Sequence, residues 1–114
     1  MIIRYAVVVG GVLLPFMTVL AHADDFPNLK DPGMISAGGQ LFREKQCTYC
    51  HGLGGNGAIK LAGRSDLEPA YIFGAIADGR VKGAVRMPSW RDVLTDEQIW
   101  QATAYIMSLS QLSP

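Results

Sequence analysis

The chain has 114 residues, of which 49% are hydrophobic, and its 10 basic residues balance its 10 acidic residues to a formal net charge of zero. This balance gives no electrostatic reason to expect binding to nucleic acid or to an anionic membrane surface. The length predicts one compact domain, of a size that is only marginally stable without help from a cofactor or crosslink.

Residues 1–23 have the features of a secretory signal peptide. Arg4 supplies a positive charge, residues 5–20 form an apolar stretch, and an Ala-x-Ala sequence at residues 21–23 is a typical cleavage site. A retained membrane anchor is the alternative, but glycine and proline interrupt the stretch, and a spanning helix needs about 20 apolar residues. We therefore expect cleavage, export to the periplasm and no stable membrane insertion of the mature protein.

The first predicted helix spans Ser36–Gln46 and follows an extended lead-in over residues 24–35. Ser36 is its candidate N-cap, and apolar residues recur in it at helical spacing. Gly38 and Gly39 lower the helix propensity of this segment by about 1 kcal/mol each. The glycine pair indicates either the close approach of another backbone or a later helix start at Gln40.

Residues 47–51, Cys-Thr-Tyr-Cys-His, carry the strongest functional signal. C-x-x-C-H is the attachment sequence of a c-type haem, in which both thiols form thioethers with the porphyrin and the histidine binds the iron. Cys47 and Cys50 are the only cysteines, so there is one attachment site. Loss of His22 with the signal leaves His51 as the only histidine, which excludes bis-histidine ligation within the chain. The sequence therefore predicts one covalent haem c held by Cys47, Cys50 and His51.

The middle of the chain is predicted to contain a second helix between two loops. Residues 52–63 are rich in glycine and form the first loop. The helix spans Pro69–Asp78, because proline suits a first helical turn and the following Gly79 is a typical C-cap. The second loop, Arg80–Val93, is irregular and contains Met87.

The last predicted helix has the clearest start signal. Thr95 and Gln98 have the spacing of a capping box, and an apolar face continues to about Leu109. The sequence shows no alternating pattern typical of strands. The predicted fold class is therefore all-α.

A low-spin electron-transfer haem needs a second strong axial ligand. The candidates in the mature chain are Met34, Met87 and Met107, together with the lysines. Met107 lies beside Ile106 on a helix face, where a methionine usually fills the core. Met87 lies in a loop that can reach the opposite face of a porphyrin, and Pro88 restricts the backbone beside it. We predict Met87 as the second ligand, because histidine with methionine is the ligand set of cytochromes c.

These motifs, in this order, resemble a class I c-type cytochrome of the short single-haem bacterial type. The resemblance covers about residues 36–110, from a Gly…Leu-Phe helix through C-x-x-C-H-G and Met-Pro-x-Trp to a helix with Tyr-Ile. It implies a cytochrome c fold, three to four short helices wrapped around one covalently attached haem, as a single domain over residues 36–114. It also implies that the first and last helices cross at close range through Gly38 or Gly39, Phe42 and Tyr105.

One position departs from the family pattern. Ile59 stands where the family often has a proline whose carbonyl accepts a hydrogen bond from the proximal imidazole. A backbone carbonyl is still present at Ile59, so the resemblance implies that the same bond to His51 is available.

The predicted function is that of a periplasmic one-electron carrier and not of an enzyme. By resemblance, a dehydrogenase or quinol oxidoreductase is the donor and a terminal oxidase is the acceptor. The alternatives are a haem c subunit of a periplasmic dehydrogenase complex, and a five-coordinate haem peroxidase or gas-binding protein without Met87 on the iron. A thiol redox motif is typically found within an alternation of strands and helices, and a structural zinc site needs a fourth ligand beyond two cysteines and one histidine. Neither pattern is evident in the sequence.

Two further groups of residues are predicted to surround the haem. The apolar candidates for the pocket lining are Leu53, Leu61, Ile72, Ile76, Val85, Trp90 and Ile99. The basic residues in the loops are Lys60, Arg64, Arg80, Lys82, Arg86 and Arg91. These cations either steer an acidic partner or form an ordinary solvated surface, and Arg64, Arg80 or Arg86 is a candidate to pair with a haem propionate.

Overall fold

The computed structural model describes residues 10–11 and 26–111. They form four α-helices, a turn of 3-10 helix and a two-stranded antiparallel sheet. In chain order these are α1 Pro32–Glu44, α2 Thr48–His51, the 3-10 turn Leu53–Gly55, α3 Pro69–Asp78, β1 Arg80–Lys82, β2 Val85–Met87 and α4 Asp96–Ser110. The fold is mostly helical, which confirms the predicted class. The predicted signal peptide lies outside the described residues except for Gly10 and Gly11.

Helix α1 begins four residues before the predicted start, so Ser36 is not its N-cap and the later start at Gln40 is also wrong. Asp31 is the N-cap, and its side chain accepts a hydrogen bond from the Met34 N–H at 3.0 Å. Pro32 occupies the first turn, where its missing N–H removes no helical bond. Residues 32–35, assigned to an extended lead-in, are therefore helical.

Helix α1 ends in a Schellman motif, a turn closed by two backbone hydrogen bonds around a left-handed residue. Gln46 has a φ of 61° and donates its N–H to the Arg43 carbonyl at 3.2 Å. The Cys47 N–H donates to the Phe42 carbonyl at 3.0 Å. This turn reverses the chain and places Cys47 directly against the core residue Phe42.

Helices α1 and α4 cross through the glycine pair, as the resemblance implied. A Cβ on Gly38 would overlap the backbone carbonyl of Gln101 and would lie 2.9 Å from the Tyr105 Cβ. The Phe42 and Tyr105 rings pack with their centroids 5.2 Å apart. Gly38 is therefore inside the helix because the backbone of α4 passes over it, and Gly39 leaves room for the Tyr105 ring.

Helix α3 has the predicted bounds, but the following segment is not an irregular loop. Residues Arg80–Lys82 and Val85–Met87 pair as an antiparallel hairpin, with Arg80 opposite Met87 and Lys82 opposite Val85. Gly83, with a φ of 60°, turns the chain between them. The strands were missed because three residues are too short for an alternating pattern, and both are exposed except at Met87.

Helix α4 starts with the predicted capping box. The Gln98 N–H donates to the Thr95 hydroxyl at 3.2 Å, and the Thr95 N–H donates to the Gln98 side-chain oxygen at 2.9 Å. Its buried face packs on α1 and α3. The hydrophobic core comprises Leu41, Phe42, Leu61, Leu67, Ile72, Ile76, Ala77, Leu94, Ile99, Ala102 and Ile106. Within residues 10–11 and 26–111, no helix is both long and apolar enough to cross a bilayer.

Candidate functional site

A cleft of about 400 Å³, part of it open to solvent, lies between α1, α4 and the hairpin. Its walls are almost entirely apolar, and three of its residues carry the predicted haem chemistry: Cys47, His51 and Met87. The full lining is Leu41, Phe42, Lys45, Cys47, His51, Ile76, Met87, Trp90, Leu94, Ala102 and Ile106.

His51 is the last residue of α2, and the following loop fixes the orientation of its ring. Its Nδ1 lies 2.8 Å from the Ile59 carbonyl oxygen. Because a carbonyl only accepts, Nδ1 must donate, and in a neutral imidazole Nε2 then keeps the lone pair that binds a metal. The bond expected from Ile59 in place of a proline is thus confirmed.

The glycine-rich loop reaches this position by folding back on α2. The Ile59 N–H donates to the Cys50 carbonyl at 3.1 Å, and the Gly57 N–H donates to the His51 carbonyl at 2.7 Å. A Cβ on Gly57 would lie 2.6 Å from the carbonyl carbon of His51. Glycine at position 57 therefore allows the loop to approach the backbone closely enough for Ile59 to reach the imidazole.

The two cysteines flank α2 in different surroundings. Cys47 is half-buried, lines the cleft and packs against the core, whereas Cys50 is exposed. Burial raises the pKa of the Cys47 thiol, although a backbone hydrogen bond opposes part of this effect. The structure therefore places one thiol inside the cleft and the other at the surface three residues away.

Met87 reaches the same cleft from the other side of the chain. It is the final residue of β2, is half-buried and lines the cleft together with His51. Met107 packs against the hydrophobic core, as expected of a core-filling residue, and neither it nor Met34 lines the cleft. Of the three methionines, Met87 alone lines the cleft with His51.

The predicted lining is largely wrong beyond Ile76 and Trp90, which do face the cleft. Leu61, Ile72 and Ile99 are buried in the core but do not line the cleft. Leu53 and Val85 are 77% and 53% exposed. The walls instead come from residues at helical spacing on α1 and α4 together with Leu94: Leu41, Phe42, Lys45, Leu94, Ala102 and Ile106. The sequence signal for these residues is the four-residue spacing of Leu41 with Lys45 and of Ala102 with Ile106, because residues four apart lie on the same face of a helix.

Three of the six basic residues already have partners. Arg64 forms a salt bridge of 2.5 Å with Asp66 and, through this hydrogen bond, lowers the pKa of that carboxyl group. Arg91 pairs with Asp78 at 3.0 Å. The Arg80 guanidinium lies 4.3 Å from the centroid of the Tyr71 ring. Among residues 26–111, Lys60, Lys82 and Arg86 form no salt bridge.

The residues present fit a haem c. The cleft combines an oriented imidazole, a thioether sulfur and a thiol on apolar walls, and this donor set suits haem iron. The described residues contain no group of three or more His, Cys, Asp and Glu side chains that could hold a metal ion by themselves. That arrangement gives no support to the zinc alternative.

Comparison with known proteins places the chain in a family. The family model described as cytochrome C oxidase, cbb3-type, subunit III matches residues 33–106. The chain belongs to this family. Its membership confirms the resemblance to a c-type cytochrome and implies covalently bound haem c.

Two individual proteins are similar to this member of the subunit III family. The cbb3-type cytochrome c oxidase subunit FixP of Sinorhizobium medicae (strain WSM419) is 36% identical over 90 residues, or 68% of this chain and 30% of FixP. A chain of the reducing HAO-like protein complex of Kuenenia stuttgartiensis is 25% identical, with a TM-score of 0.56, over 72% of this chain and 46% of that one. The chain therefore spans less than half of the length of either protein.

Proposed function

We propose that this chain is a one-electron carrier that uses one haem c. Cys47 and Cys50 form its thioethers, and His51 and Met87 are its axial ligands. The observation that carries the proposal is that an imidazole with its Nδ1 engaged and a methionine thioether line one apolar cleft.

Haem c supplies reversible one-electron chemistry when it is bound in such a site. The Ile59 carbonyl fixes the His51 ring, so the imidazole does not have to reorient between redox states. The Met87 sulfur is a neutral donor that favours the reduced state, and such ligation raises the reduction potential. Apolar walls, among them Phe42 and Ile106, act in the same direction by disfavouring the more highly charged state.

Mass spectrometry and spectroscopy of the exported protein test this proposal. The intact mass should exceed that of the polypeptide by one haem, and the mass should show cleavage after residue 23. The ferric protein should show the sulfur-to-iron charge-transfer band, which a Met87→Ala variant should lose. If the unsubstituted protein lacks that band and readily binds carbon monoxide when reduced, it is a five-coordinate haem protein and not a carrier.

We propose export to the periplasm and redox proteins as partners, with a dehydrogenase or quinol oxidoreductase as donor and an oxidase as acceptor. Both the family description and FixP refer to oxidase subunits, which supports an oxidase on the acceptor side. The same names favour a second candidate, a haem c subunit held within such a complex. Size-exclusion chromatography of the native protein from mild detergent extracts distinguishes them, because a free carrier elutes alone.

Lys82 and Arg86 are exposed charges that an acidic partner could contact. They lie on the exposed hairpin, no described residue neutralises them, and Met87 ends the same hairpin. Electron transfer to the oxidase should therefore slow as salt increases, and Lys82→Gln with Arg86→Gln should weaken that dependence. Arg64→Gln is the matched control, since Asp66 already pairs with that charge. If the rate of electron transfer does not depend on salt concentration, Lys82 and Arg86 do not steer the partner.

A further inference from the structure

Helix α3 is capped at its C-terminus by the chain segment that follows Met87. The last four carbonyl groups of an α-helix have no partner within the helix. The Ile76 carbonyl accepts from the Trp90 N–H at 2.9 Å. The Ala77 carbonyl accepts from the Arg91 N–H at 3.1 Å. We call the contacts between residues 76–79 and 87–91 the α3–Met87 junction.

Gly79 brings the two sides of this junction into contact. It has a φ of 75°, and a Cβ at this position would lie 2.6 Å from the Met87 carbonyl oxygen and 2.9 Å from the Ser89 nitrogen. A side chain at position 79 would therefore push the backbone of Met87 away from α3.

Ser89 adds a side-chain bond to the junction. Its hydroxyl donates to the Ala77 carbonyl at 2.5 Å, so this carbonyl accepts two hydrogen bonds. Ala77 is fully buried, at 0% exposure, whereas Ser89 is exposed, so the bond is partly buried. The other side-chain bond, between Arg91 and Asp78, is exposed on both partners, and such pairs contribute little.

The hairpin by itself holds Met87 weakly. Each strand has three residues, and Val85 and Arg86 are exposed, so little packs against β2 before Met87. An isolated two-stranded hairpin is at best marginally stable in water. The position of the Met87 sulfur therefore depends on the packing of Met87 against the core and on the residues after it, which α3 anchors.

We propose that Ser89 is a positioning residue for Met87. Its hydroxyl ties the methionine-bearing segment to the buried end of α3 and so limits how often the sulfur leaves the haem iron. This inference rests on the proposed function, because it takes Met87 as the axial ligand.

Competition by imidazole for the ferric haem measures how often the methionine is displaced. An added ligand binds only when the sulfur is away, so its apparent affinity scales with the population of that open state. Loss of one such hydrogen bond should raise the apparent imidazole affinity of Ser89→Ala by about 3- to 10-fold. Ser89→Thr retains the hydroxyl and should behave as the unsubstituted protein.

Ser108→Ala is the matched control. The Ser108 hydroxyl donates to the Tyr105 carbonyl within α4 at 2.5 Å, so this variant also loses a serine-to-carbonyl bond but one remote from the junction. Its imidazole affinity should not change, even if both alanine variants unfold at slightly lower denaturant. Equal affinities for Ser89→Ala, Ser108→Ala and the unsubstituted protein would overturn the positioning role.

The same experiment separates this inference from the proposed function. A charge-transfer band in the unsubstituted protein supports Met87 as ligand whatever the variants do. Its absence there would overturn the ligand assignment and the role of Ser89 together.

Discussion

Gly38 and Gly74 both lie inside a helix. The structure nevertheless predicts that alanine at these two positions has opposite effects on the free energy of unfolding. At Gly74, in α3, a new Cβ would find no heavy atom within 4 Å. Gly74→Ala should therefore stabilise the protein by about 1 kcal/mol, the difference in helix propensity. At Gly38, a new Cβ would overlap the Gln101 carbonyl, which belongs to the backbone of α4 and cannot rotate away.

The cost at Gly38 should exceed the gain in propensity. Overpacking of a close helix contact costs about 1–3 kcal/mol and sometimes more, against the same propensity gain of about 1 kcal/mol. Because the clash is with fixed backbone, the upper part of this range applies, a cost of about 2–3 kcal/mol, and Gly38→Ala should destabilise the protein by about 1–2 kcal/mol. Separating α1 from α4 also widens the cleft, because Phe42 and Ala102 line it from opposite helices.

Guanidinium unfolding of the haem-loaded protein, followed by far-UV circular dichroism, tests the pair. The midpoint should rise for Gly74→Ala and fall for Gly38→Ala with an unchanged slope. In thermal unfolding, each kcal/mol corresponds to a shift of about 4–8 °C for a domain of this size. If Gly38→Ala is as stable as the unsubstituted protein, the close crossing of α1 and α4 is wrong.

Three further changes test local features of the fold. Gln46→Gly should raise the free energy of unfolding by about 0.5–1 kcal/mol, because Gln46 has a φ of 61° and glycine adopts that region without strain; Gln46→Ala should give no such gain. Asp31→Ala should lower the free energy of unfolding by about 1 kcal/mol through loss of the N-cap, whereas Asp31→Asn should largely retain the stability of the unsubstituted protein. Equal stability of the unsubstituted protein and both variants would show that the Asp31 cap does not stabilise α1. Asp66 has a lowered pKa because of its hydrogen bond from Arg64, so its contribution is present above the unfolded-state pKa near 4 and is lost as the pH falls through the folded-state pKa. Because the Arg64–Asp66 pair is exposed, Asp66→Asn should lower the unfolding midpoint only slightly at pH 7, and the difference should shrink as the pH falls. A difference that grows at acid pH would contradict this linkage.

Local signals predicted the helices well where the signal and the structure depend on the same few residues. The proline before α3, the glycine after it and the capping box of α4 each act within one helical turn, and all three are present as predicted. The start of α1 follows the same rule at Asp31 and Pro32, but the polar, proline-containing segment 24–32 predicts an extended lead-in, which left Ser36 as the candidate N-cap. The hairpin was not predicted because each of its strands has three residues, which is too short to show an alternation of apolar and polar residues.

The candidate site likewise contains residues that a short local motif identifies and residues that are brought together only by contacts between distant segments. Cys47, Cys50 and His51 lie within five residues, so the sequence by itself predicts the attachment chemistry and the first ligand. The sequence also favoured Met87 by elimination, because no second histidine remains in the mature chain. A short motif encodes such chemistry directly, since its residues are adjacent whatever the rest of the chain does.

Only the tertiary structure decided which residues surround that motif. Ile59 reaches His51 because a glycine-rich loop folds back on α2, and Ser89 reaches Ala77 because α3 ends where the methionine segment passes. The apolar residues of the sequence are numerous and alike in character. Ile99 and Ile106 are both buried in the core, and hydrophobicity could not show that only Ile106 also lines the cleft. That difference depends on how α1 and α4 are rotated about their crossing, and their rotation is a property of the packed helices and not of either segment alone.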